Sequence, residues 1–139
     1  VTENPYNSKM WEKYGANNKG FCIAYDSEKL FEFFGSGCKV IYTDNLPRIY
    51  AFENFMIQHF KQIFFKTTFW SFEEEYRLHK LWDRPVKAQE RNITISNECI
   101  LEVLLGYDMS EIDKNEITTS IKSNLPKVKI TQLTEEQIL

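Results

Sequence analysis

The stretch "CILEVLLGYD", residues 99–108, constrains the fold more than any other, because it is the most apolar run in the chain. It is too short for a buried helix and rich in β-branched and aliphatic residues. It therefore predicts a central strand, covered on its faces and ended by Gly106. A strand of that kind needs partners, and the rest of the sequence supplies them. "GFCIAYD" (20–26) and "CKVIYT" (38–43) predict two further buried strands. "ITIS" (93–96) and "KVKITQL" (127–133) alternate as shorter ones.

Helices fit between these strands. "MWEKY" is one short helical turn, and the "NNKG" after it reads as a turn of residues that tolerate positive φ. Asp26 and Ser27 are caps for "SEKLFEFF", which puts Leu30, Phe33 and Phe34 on one face before the glycines of "GSG" end it. From Asp44 or Asn45, with Pro47 in the first turn, residues Ile49, Phe52, Phe55 or Met56, Phe60 and Ile63 recur at three- and four-residue steps. That periodicity predicts one long helix whose aromatic stripe packs on the sheet. Ser110, followed three residues later by Asp113, caps a last helix that Pro126 stops. Runs of strands without helices between them give an α+β fold: a mostly antiparallel β-sheet with helices packed on one side of it.

The chain has 139 residues, enough for one domain with its own core, and its 15% aromatic content excludes a disordered chain. A net charge of -3 lacks the basic footprint of a non-specific nucleic-acid binder. No apolar run is long enough to span a membrane. Cys22, Cys38 and Cys99 are odd in number and far apart, so free thiols, at least two of them buried, are expected in a cytoplasmic protein. His59 and His79 are the only histidines, and with no pair at ligand spacing no metal site is expected.

"WSFEEEYRLHKL" (70–81) is the stretch with chemistry in it. As a strand over residues 72–80 it alternates, with Phe72, Tyr76 and Leu78 toward the core and Glu73, Glu75, Arg77 and His79 on the other face. A solvated strand face would carry the same letters. So would a cleft wall, in which paired carboxylates push one pKa up for acid–base work and a guanidinium holds phosphate or carboxylate. Lys66 adds a second positive charge. Trp11 and Tyr14, three apart on a helical turn, form either a hydrophobic cap or a stacking surface.

Together, "MWEKYGANNKGFCIAYD", "KTTFWSFEEEYRL" and "ILEVLLG" resemble the three signatures of a bacterial family, domain of unknown function 2971. The resemblance marks Trp11, Tyr14, Lys19, Gly20, Lys66, Trp70, Glu73, Glu75 and Arg77. Lys13 stands where many members have His, and Gly15 where Ala is usual. The family's N-terminal section, with its Asn-Asp-Pro motif, is absent. Residues 1–139 are therefore expected to be a single domain, the larger C-terminal part of a longer one. The resemblance implies a bacterial cytoplasmic protein and no established activity or cofactor.

Two functions follow as expectations. One is a transferase-like site handling a nucleotide or sugar phosphate. In it Glu73 and Glu75 are catalytic, and Arg77, Lys66, Trp11, Tyr14 and Trp70 bind the ligand. One version acts on a dinucleotide in the manner of ADP-ribosyltransferases, although the Gly-rich phosphate loops are missing. The other is a non-catalytic sensor or interaction module in which the Glu–Arg row is an ion-pair lock. Whether the protein is an enzyme at all, and whether it self-associates, the residues leave open.

Overall fold

The computed structural model describes residues 1–138 as an α+β fold built on three small sheets. Helix α1 (Ser8–Tyr14) is capped by the Asn7 side chain, which accepts from the Met10 N–H. Ala16, Asn17 and Asn18 then reverse the chain with positive φ, as the Asn-rich turn predicts. Strand β1 (Phe21–Tyr25) follows, then α2 (Ser27–Phe34), capped by Asp26 and closed by Gly35 at φ 77°. The predicted strand at 38–43 divides into β2 (Gly37–Lys39) and β3 (Ile41–Tyr42), which pair with different partners. After α3 (Phe55–Phe64) come β4 (Phe65–Lys66), a 3₁₀ turn (Thr68–Glu73) and β5 (Tyr76–Leu78). The chain ends in β6 (Ile100–Leu105), α4 (Glu111–Asn124) and β7 (Lys129–Gln132).

β6 is central, as its apolarity requires, in the order β1-β6-β7. It runs antiparallel to β1 and parallel to β7, with α4 as the crossover. Its alternation serves two cores. Leu104 packs with Trp11 of α1 and Leu133 on one face. Val103 and Leu105 pack with Met109 on the other, against Ile117 and Ile121 of α4. Helices thus cover both faces of this sheet, not one.

Several expectations change. The sheets are small and mixed, not one mostly antiparallel sheet: β2–β5 is antiparallel, β3–β4 parallel. Residues 93–96 form no strand. The long helix starts only at Phe55, capped by Asn54, whose side chain accepts from the Met56 N–H. Ile49 and Phe52 lie in the irregular segment before it, and Phe52 is fully exposed. Phe60 is also exposed, and of the helix's aromatics only Phe64 is buried. All three thiols are free, but Cys99 alone is buried, with Cys22 and Cys38 half-buried. At α4 the Ser110 hydroxyl lies 2.6 Å from the Asp113 carboxylate. The shorter acid thus bonds the cap side chain, where a Glu would reach back to the cap's own N–H.

Candidate functional site

The stretch 70–81 is not the strand that alternation predicts. Residues 68–73 wind as a 3₁₀ turn, and Glu74 adopts φ 43°, a left-handed backbone unusual for a residue other than glycine. Three contacts hold it. Its N–H reaches the Ser71 carbonyl at 3.2 Å, its own carbonyl accepts from the Glu3 N–H at 3.2 Å, and its carboxylate accepts from the Asn4 amide at 3.1 Å. The break puts Glu74 in solvent and turns Glu73 inward, so that its side chain is only 7% exposed. Glu75 and Arg77 then share a face by ordinary alternation across β5.

The result is a chain of charges. The Tyr14 hydroxyl donates to Glu73 Oε1 at 2.7 Å, and Lys66 Nζ bonds Glu73 Oε2. The same ammonium reaches Glu75 Oε2 at 3.1 Å. Arg77 grips Glu75 with both arms of its fork, Nε to Oε1 at 2.6 Å and a terminal nitrogen to Oε2 at 2.9 Å. Its other terminal nitrogen bonds the Ile63 carbonyl at the end of α3. The network ties β4, β5, α3 and α1 together.

Its electrostatics follow from the pairing. Burial alone would push the Glu75 carboxyl up, but Arg77 and Lys66 outweigh it and hold the group below its ordinary value. Burial would likewise lower Lys66, and its two carboxylate partners instead raise it. Arg77 is raised by its bond to Glu75. The bond to Glu73 raises the Tyr14 phenol, with partial burial adding to it.

Beside the network lies an aromatic shelf. The Lys13 ammonium sits 3.5 Å from the centre of the Trp70 ring and Lys66 5.0 Å from it. Lys9 lies 5.8 Å from the Phe72 ring. Among the described residues neither Lys9 nor Lys13 pairs with a carboxylate. Trp11 lies in the core instead, its indole N–H donated to the Pro5 carbonyl at 2.7 Å. Trp11 and Tyr14 both line a cavity of about 140 Å³.

The structure therefore joins Tyr14, Lys66, Trp70, Glu73, Glu75 and Arg77 and sets Trp11 apart. Residues 10–78 match the model of a family described as a protein of unknown function, DUF2971. That stretch belongs to it. The DUF2971 match takes in the whole ion network and ends at the last residue of β5, leaving β6 outside. No curated protein and no solved structure matches the chain. Sequence reasoning missed three participants, Lys9 of the shelf among them. Lys13 was visible only as a departure from the family's usual His. Tyr42, whose hydroxyl accepts the Glu75 N–H at 2.8 Å, carried no signal, because only the pairing of β3 with β4 brings it there.

Proposed function

We propose that this DUF2971 domain binds a phosphorylated ligand carrying an aromatic ring, with a nucleotide as the class that fits. The observation that carries the reading is the pair of lysines without carboxylate partners, Lys9 and Lys13, beside Trp70 and Phe72. A phosphate would draw Lys13 off the Trp70 ring and free that face for stacking. Glu73 is the carboxylate next to the shelf, with Tyr14 as its proton-carrying neighbour and Lys66 as its counter-ion. In a transferase-like reaction Glu73 would stabilise charge on the bound ligand. Glu75, taken up by Arg77 and Lys66, keeps that corner rigid. Free thiols and the family resemblance support a bacterial cytoplasmic protein. Among the described residues no helix is long and apolar enough to cross a membrane.

A second reading, the interaction module with the Glu–Arg row as its lock, has its own support. Ile49, Tyr50, Phe52, Phe55, Met56 and Ile57 are all exposed, and a partner chain or a second copy would bury them. Thermal-shift measurement over nucleotides and sugar phosphates separates the two. Ligand binding predicts a Tm rise for at least one compound, lost in Lys13→Ala and Trp70→Ala while both variants stay folded. A flat response across the panel removes the ligand reading and leaves the module.

A further inference from the structure

We propose that His59 and His79 form a two-histidine site for a first-row divalent cation such as Zn²⁺. The sequence keeps the two apart. The fold brings α3 against the end of β5 and sets the ring centres 5.3 Å apart. That spacing alone is ordinary aromatic packing. The nitrogens are what packing leaves unexplained. His59 Nε2 and His79 Nδ1 are both shielded from solvent and neither has a hydrogen-bond partner. Each of these two adjacent imidazoles therefore carries a buried nitrogen whose partner is missing.

The tautomer of His79 supports a ligand role. The Ser36 hydroxyl donates to the His79 carbonyl at 3.0 Å, which uses its one proton. At 3.1 Å from Nε2 it must then accept, so Nε2 carries the hydrogen and Nδ1 keeps a bare lone pair. This is the arrangement a metal-bound histidine usually has, with its second nitrogen held by an outer partner. Phe55, stacked on His59, and Phe64, edge-on to His79, keep both rings in place. The distance fits as well. Two imidazoles on one tetrahedral ion, with Zn–N bonds of about 2.0–2.1 Å, hold their ring centres roughly 5.2 Å apart.

Among the described residues no three His, Cys, Asp or Glu side chains converge on one ion. Water or an incoming donor would fill the other two positions, one more than at a three-ligand catalytic zinc site. Imidazole donors favour Zn²⁺, Ni²⁺ or Cu²⁺ over Mg²⁺ or Ca²⁺.

The test is titration of the chelator-treated chain with ZnCl₂, followed by calorimetry, Tm and the ¹⁵N shifts of the imidazole rings. The expected result is saturable binding of one ion per chain, a Tm rise of several degrees, and movement of the His79 Nδ1 signal. His59→Phe keeps the ring packing and removes one donor, so it should stay folded and lose the ion. Cys38→Ser should retain it. The proposal is overturned if no saturable binding occurs, if His59→Phe binds as well as the parent, or if binding follows Cys38 and leaves the imidazole signals unmoved.

Discussion

Arg77 shows how much one side chain can hold. Its guanidinium satisfies both oxygens of Glu75 and a backbone carbonyl at the end of α3. Arg77→Met would fill the same space and leave Glu75 with Lys66 alone. Because Glu75 is only 20% exposed, the loss should approach the range for breaking a buried pair, about 2–4 kcal/mol in urea denaturation. Unchanged stability would mean that the fork is decorative. Glu73→Gln keeps the shape and removes the charge facing Lys66, so it separates the two functional readings. A ligand site loses its nucleotide-induced Tm shift, whereas a module with a lock loses only stability. At Gly106 the limit is steric: a β-carbon there would lie 2.1 Å from the Asn18 carbonyl oxygen. That close approach leaves room only for glycine immediately after β6.

At the scale of the element, α3 carries the clearest contrast. Phe64 is 3% exposed and Phe52 stands free before the helix begins. Phe64→Ala should therefore cost about 3–5 kcal/mol. Phe52→Ala should fall within roughly 0.5 kcal/mol of the parent. Equal losses in chemical denaturation would put residues 49–52 back into a packed helix. The misreading has a local cause. The three- and four-residue spacing of apolar side chains runs on through 49–52, but the chain there is held by turns. The Asn45 N–H bonds the Thr43 hydroxyl, Asp44 is taken by Thr68, and Asn54 caps the later start. Such short-range competition is invisible to periodicity. β6, α2 and α4 were legible because composition and caps agree there. β5 was legible in part, since Glu75 and Arg77 do share a face, but the left-handed turn at Glu74 depends on Glu3 and Asn4. The meeting of Lys13 with Trp70, like that of His59 with His79, is tertiary and left no trace in spacing.

For the whole molecule the pairing sets a pH dependence. Glu75, and Glu102 through Lys129 and Thr131, hold their carboxyls below the ordinary value in the fold. Below a pH of about 4.5 the unfolded chain therefore binds more protons than the native one. Stability should be complete above that point and decline as pH falls through the native values. A urea midpoint that does not change between pH 6 and pH 3 would contradict this. The family match stops at residue 78, yet β1, inside it, pairs only with β6, outside it. Residues 10–78 alone should accordingly give the circular dichroism of an unfolded chain. The same pairing has a consequence in time. During synthesis β1 leaves the ribosome long before β6 exists, a delay on the order of ten seconds at ~5–20 residues per second. Through that interval Trp11 lacks Leu104 and Leu133 to pack on, and Cys22 and Ile23 lie uncovered. The newborn chain should thus bind holding chaperones, and slower translation between β5 and β6 should lower its soluble yield.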